Sequence, residues 1–443
     1  MGNDGVIRDA RELGTPKMLT LGLQHMFAMF GATVLVPTLT GLSVSATLLF
    51  AGLATLFCHL VTKRKVPVFL GSSFAFLGGY FAIAPDGNPE LLRYACFGVA
   101  CSGLLYLILA AFCKAYGSKK VMRFFPPVVT GPIIISIGLT LSSSAIQNCT
   151  TNWFIALVAI AVVIVCNIWG KGMVKIIPIL IGVVASYVVA AVTGNVDFTG
   201  VKDAAWIGMP FSYHNTVFSI FTEGNADKGM LLTAAITIMP IAIATMMEHI
   251  GDISAIGSTV GQNFIKDPGL HRTLIGDGIG TTIASLFGAP ANTTYGENTG
   301  VLALTKVYDP RVIRLAAVYA IIISFCPKFS ELIKAMPAAT IGGVSMILYG
   351  MISAIGVRNV VENQVDFAKT RNVIVAALIL VLSIGIKYGM PGEAITIQAG
   401  EITIGLTGLA VASLVGIILN AILPDGDVKF AEEPKDAGSL GKY

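Results

Sequence analysis

The sequence predicts an all-α protein that crosses a membrane many times, with short extended stretches breaking two of its passes. Three observations predict it. Of 443 residues, 55% are hydrophobic and only 12% are charged, about half the charged fraction of a soluble domain. The mean hydropathy is +0.79, more apolar chain than a soluble core can absorb. The apolar residues also fall into runs near the ~20 residues that a helix needs to cross hydrocarbon.

In order, these runs are 17–37, 43–62, 66–85, 94–115, 125–146, 152–169, 174–194, 230–262, 271–288, 290–306, 311–332, 338–357, 371–387 and 402–423. That makes fourteen transmembrane segments, the third and tenth short and interrupted. Charge placement supports both short passes. With the N-terminus inside, all of the 29 basic residues except Arg93, Lys202, Lys228, Lys328, Lys334 and Lys387 fall in inner loops and tails. This is the positive-inside pattern, and dropping either short pass would invert everything after it. Both chain ends, including a charged tail at 426–443, are therefore expected on the cytoplasmic side of the inner (plasma) membrane. The residues before Lys17 are polar and the first apolar run is too long for a signal-peptide core, so no cleaved signal is expected. The seven cysteines show no CxxC or metal-ligand spacing. They read as small core residues, and neither metal nor cofactor is expected.

The fourteen segments divide as a 7+7 repeat. Gln24-His25 in segment one is matched by Glu248-His249 in segment eight. Gly71-Ser72-Ser73-Phe74-Ala75 in segment three is matched by Asn292-Thr293-Thr294-Tyr295-Gly296 in segment ten. Pro127, Thr130 and Gly131 open segment five as Pro337, Thr340 and Gly342 open segment twelve. Because seven is odd, the second half must be inverted in the membrane. Inverted repeats with broken helices are a transporter pattern, with cargo bound near the midplane where the breaks meet.

The breaks themselves are readable. Val66 to Gly71 is β-prone and Pro67 blocks a regular helix start, while segment ten begins Pro290-Ala291-Asn292-Thr293-Thr294. Each reads as an extended piece followed by a half-helix, which lipid cannot solvate and protein must enclose. Ser72, Ser73, Thr293 and Thr294 are placed to cap the half-helix starts. The N–H groups there carry partial positive charge and can donate to a carbonyl oxygen.

Ionisable residues inside a membrane are functional candidates. Glu248 and Asp252 are four apart and share a helix face. Glu297 lies in the first turn of the second half-helix, which also suits a plain helix start. Asp277 lies within segment nine, where a bond to a neighbouring backbone break is an equal reading. His25 sits mid-segment, as a proton-coupling group or a core hydrogen-bonder. His249 adjoins Glu248 and so points elsewhere. Carboxylates beside broken helices suit a neutral planar ring with N–H donors and C=O acceptors, with Phe74 on its face. A buried carboxylate can also take up a proton, which would couple proton entry to cargo binding.

Glu248-His249-Ile250-Gly251-Asp252, Asp267-Pro268-Gly269-Leu270-His271-Arg272 and Glu297-Asn298-Thr299-Gly300 through Thr305-Lys306 together resemble the nucleobase–ascorbate transporter family. The resemblance covers nearly the whole chain and is closest to the bacterial uracil permeases. It implies a core domain (1–116 and 229–335) that moves as an elevator against a gate domain (117–228 and 336–425). It also implies proton symport of uracil and homodimers formed through the gate. Substrate contacts would fall on Glu248, Glu297, Phe74 and Gly296, with His25, Asp252 and Asp277 organising the site or carrying the proton. Asp252 and Asp277 fit the family's xanthine-type pattern, whereas Glu297 in place of Gln favours uracil. A xanthine or purine permease stays open as an alternative, as does an anion channel or exchanger of the same fold. No Ser/His pair or HExxH pattern points to an enzyme, and no nucleic-acid partner is expected.

Overall fold

The computed structural model describes residues 6–223, 226–399 and 402–424. The tail expected at 426–443 lies outside the described residues. Helix α1 (Thr15–Thr40) starts at Pro16 and stops at Gly41, whose φ of 82° places it in the left-handed region that favours glycine. The Ser43 side chain accepts from Ala46 N and starts α2 (Val44–Val61). The third apolar run is strand β1 (Leu70–Ser72) followed by the short helix α3 (Leu77–Ile83). Asn88 and Pro89 open α4 (Pro89–Tyr116), and a short α5 (Ser118–Met122) follows. Next come α6 (Pro127–Thr150), α7 (Trp153–Trp169), α8 (Met173–Ile176) and α9 (Pro178–Val192). The loop after α9 carries α10 (Thr199–Asp203) and α11 (Val217–Thr222).

The second half departs from the sequence expectation in three places. The run 230–262 is two helices, α12 (Lys228–Ile238) and α13 (Ile241–Val260), meeting at Met239 and Pro240, because proline cannot supply a backbone donor inside a helix. After α14 (Leu270–Leu286), strand β2 (Asn292–Thr294) and α15 (Gly296–Thr305), the run 311–332 splits again. It becomes α16 (Pro310–Ser324) and α17 (Pro327–Lys334), bent by 89°. Helices α18 (Ala338–Glu362) and α19 (Thr370–Gly389) follow as expected. The last run holds the third departure. A hairpin of β3 (Ala394–Ala399) and β4 (Ile402–Thr407) takes its first six residues, and only α20 (Gly408–Ile422) is helical. Alternating β-branched residues in Ile402, Thr403 and Ile404 suit a strand.

Two packing groups emerge. Helices α1, α2 and α4 pack with α12, α14 and α16, whereas α6, α7 and α9 pack with α18, α19 and α20. The α6–α18 contact is close enough to need glycine at both ends. A Cβ on Gly356 would stand 2.7 Å from Gly131 O, and one on Gly342 would stand 2.6 Å from Cys149 N. Small residues let membrane helices touch backbone to backbone. The start of each helix meets the end of the other, as an inverted repeat requires.

Among the described residues, seven helical spans are long and apolar enough to cross a membrane, with α12 and α13 together (Lys228–Val260) counted as one, or eight if the bent α16–α17 pair is one span. Helices α7, α9 and α20 are apolar but shorter. At 1.5 Å per residue, the 17 residues of α7 reach about 26 Å, just under a typical hydrocarbon core.

Candidate functional site

The two broken segments meet. Strands β1 and β2 pair antiparallel, with Leu70 opposite Thr294, Gly71 opposite Thr293 and Ser72 opposite Asn292. Ser73 N donates to Ala291 O at 2.8 Å and Tyr295 N to Phe69 O at 3.0 Å, extending the ladder at both ends. Each extended piece thus satisfies the backbone of the other where water is absent. Gly71 is required here: a Cβ would sit 2.4 Å from Tyr295 Cζ. The Tyr295 hydroxyl donates to Ser72 O at 2.9 Å, and Ser72 Oγ donates to Thr33 O at 2.9 Å, tying the pair to α1.

The capping expectation is corrected. Helix α3 begins after Phe76 and α15 after Tyr295, and no side chain caps either. Ser72, Thr293 and Thr294 lie in the strands and Ser73 directly follows one. Ser72 Oγ turns to Thr33 O of α1 and Thr294 Oγ1 to His249 of α13, while the buried Ser73 and Thr293 hydroxyls have no hydrogen-bond partner among the described residues, and the first amides of both half-helices are left without side-chain caps.

Around this ribbon the carboxylates converge. Glu248 and Asp252 on α13, and Gly296 and Glu297 at the start of α15, are all half-buried. A Cβ on Gly296 would lie 3.9 Å from Asp252 Oδ1. Glu248 stands within Coulombic range of Asp277 and Glu297, and Asp252 within range of all three. Phe74, buried between β1 and α3, meets Tyr349 of α18 edge-on at 5.7 Å. That contact joins the two packing groups at the site.

Two histidines stand behind the carboxylates. His249 and Asp277 are fully buried, and His249 Nδ1 is 2.9 Å from Asp277 Oδ2 and 2.8 Å from Thr294 Oγ1. One residue along a helix is a turn of about 100°, which aims His249 at α14 and β2 and turns Glu248 to a different side of α13. His25 is buried on α1, where Asn298 Nδ2 donates to its carbonyl at 3.0 Å and lies 3.2 Å from its Nδ1. His25 therefore braces the first turn of α15 beside Glu297. Sequence reasoning passed over Asn298, Tyr349 and the His249–Asp277 contact. Asn298 stands in the Glu297-Asn298-Thr299-Gly300 motif, but no local spacing marks its contact with His25, nor Tyr349, nor the meeting of His249 with Asp277, since each partner comes from a distant part of the chain. Tyr106, which donates to Thr245 Oγ1 at 2.6 Å, was equally unmarked.

The arrangement offers anionic acceptors on one side and amide donors on the other, within a bundle of apolar helices. Two broken segments paired inside the bundle, with carboxylates gathered beside them, are the arrangement of a multi-pass membrane transporter. Residues 16–392 match the family described as Permease family, and the chain belongs to it. The uracil permease of Bacillus subtilis (strain 168) is 38% identical over 436 residues, covering 95% of this chain and 96% of that one. The uracil permease of Bacillus caldolyticus is 41% identical over 429 residues, 94% of each chain. Among solved structures, the transmembrane domain of the cyanobacterial bicarbonate transporter BicA superposes with a TM-score of 0.60. It is 15% identical, over 94% of this chain and 99% of that one, and so shares the fold.

Proposed function

We propose that this protein imports uracil across the plasma membrane by proton symport, with both chain ends in the cytoplasm. The observation that carries this reading is the convergence of half-buried Glu248 on α13 with half-buried Glu297 in the first turn of α15, a helix start that no neighbouring side chain caps. Uracil presents ring N–H groups that a carboxylate accepts and carbonyl oxygens that main-chain amides at Phe74 and Gly296 can meet. The relatives named as uracil permeases support the same cargo. Proton coupling is supported by the gathering of Glu248, Asp252 and Glu297 in one place within the membrane-spanning bundle, where ionisable side chains serve proton pathways.

In this reading all fourteen apolar segments cross the membrane. The α1–α4 and α12–α17 group is the core that carries the site. The α6–α9 and α18–α20 group is the gate, through which two copies associate. Movement of the core against the gate gives alternating access.

Asp252 and Asp277 favour a second reading, a xanthine permease. An anion exchanger, which the BicA fold would accommodate, needs a positive site and is opposed by the carboxylate cluster. Competition binding to the purified protein separates these readings. Labelled uracil should be displaced by unlabelled uracil and not by xanthine or bicarbonate. Displacement of labelled xanthine alone, with no uracil binding, would end the uracil assignment.

A further inference from the structure

The inner end of α2 holds a second polar site, apart from the carboxylates. His59, in the last turn of α2, is fully buried. Its Nε2 lies 2.8 Å from Val68 O; a carbonyl only accepts, so Nε2 carries the proton. Nδ1 is then a bare acceptor, buried and without a hydrogen-bond partner among the described residues. His59 lines an open recess of about 620 Å³ with Leu56, Leu60, Arg64 and Arg314.

The recess is cationic. Arg314, on α16, has a buried Nη1 that also lacks a partner among the described residues. Its neighbour Arg311 is neutralised, at 2.7 Å from Asp9 and 2.9 Å from Asp309. Arg314 and Arg64 have no ion-pair partner among the described residues; Arg314 stands within Coulombic range of Asp309, whose carboxylate Arg311 already engages, and of Arg64, and it acts on His59. Lys63 and Arg64 both have φ of 58°, uncommon for residues with a Cβ. Arg64 N donates to His59 O at 2.6 Å, folding the chain back over the end of α2. Leu60, 65% exposed, gives the recess an apolar rim.

We propose that this recess binds a phosphate group that carries its own hydroxyl or ammonium donor. The phosphate oxygens would meet Arg64 and Arg314, since guanidinium groups fit phosphate in bidentate fashion. The accompanying donor would meet His59 Nδ1. A phospholipid headgroup at the inner leaflet and a free phosphate compound both present this chemistry.

The test is native mass spectrometry of the delipidated full-length protein with phosphatidylglycerol, phosphatidylcholine or inorganic phosphate. Phosphatidylglycerol, which is anionic and has hydroxyl donors, should be retained in preference to phosphatidylcholine, which has none. R64Q and R314Q should each reduce that retention roughly fivefold, with R314K retaining more than R314Q. Retention that survives millimolar inorganic phosphate assigns a lipid; displacement by it, with phosphate bound, assigns a free phosphate. Equal retention of both lipids by the wild type, or undiminished retention by R64Q/R314Q, would overturn the proposal. If R314Q does not fold, R64Q alone decides: Arg64 is exposed, and unchanged retention in it has the same meaning.

Discussion

His249 Nδ1 stands 2.9 Å from Asp277 Oδ2, and neither side chain has any exposed surface. The contact joins α13 to α14 directly behind Glu248, with Thr294 of β2 as third member. It fixes the helix that presents the carboxylates to the strand pair that presents the amides. Losing His249 leaves the Asp277 carboxyl buried without it, and losing Asp277 leaves His249 with Thr294 alone; a buried polar group left unsatisfied costs about 1–3 kcal/mol. His249→Leu and Asp277→Leu should each lower the melting temperature, and the double variant should lose less than the sum of the two. Additive losses in thermal unfolding would show that the two do not interact.

Glu248 and Glu297 are expected to hold cargo as charged acceptors. A hydrogen bond to a charged group contributes about 1.5–3 kcal/mol. Glu297→Gln and Glu248→Gln should therefore weaken uracil binding by roughly 10- to 150-fold, read by calorimetry at pH 7. Unchanged affinity in Glu297→Gln would remove that residue from the site.

Two glycines on neighbouring segments should respond in opposite ways. At Gly71 an added Cβ meets the Tyr295 ring at 2.4 Å, whereas at Gly296 it meets only Asp252 Oδ1 at 3.9 Å. Gly71→Ala should lower the melting temperature by displacing Tyr295 from the ribbon, with an overpacking cost of about 1–3 kcal/mol. Gly296→Ala should keep the wild-type melting temperature and reduce uracil affinity, because the methyl group enters the space beside the amide. The reverse pattern would misplace the site.

At the end of α11, Glu223 lies 2.6 Å from Arg93 Nη1 and 2.8 Å from His214 Nδ1. The Arg93 and His214 contacts hold its carboxyl below the ordinary value of 4.5. A folded-state value below the unfolded one contributes stability that is present above pH 4.5 and lost as pH falls through the folded value. Wild-type melting temperature should therefore fall on acidification below about pH 4.5, and Glu223→Gln should fall less over the same range. Parallel curves would contradict this role.

Much of the architecture was legible because hydropathy and charge are local properties. Each apolar run corresponds to a helix, a pair of helices or a strand–helix pair, and Pro67 and Pro290 announced the two breaks. The four-residue spacing of Glu248 and Asp252 announced their common face. Pairings across the chain were not legible. The register of Leu70 with Thr294 depends on two segments far apart in sequence, and so does the meeting of His249 with Asp277. The capping role given to Ser72, Ser73, Thr293 and Thr294 failed because the extended pieces run further than their sequence suggests. The half-helices start only after Phe76 and Tyr295. The β3–β4 hairpin was missed because apolar strand residues followed by an apolar helix read as one continuous run.

Transport itself gives the most direct test of proton-coupled uracil uptake. Purified protein in sealed proteoliposomes should accumulate labelled uracil when an inward proton gradient is imposed, and a protonophore should abolish accumulation. Vesicles carrying Glu297→Gln should show little uptake at the same uracil concentration. Equal uracil uptake with and without the gradient would contradict proton coupling, and gradient-driven uptake of xanthine without uracil would contradict the cargo.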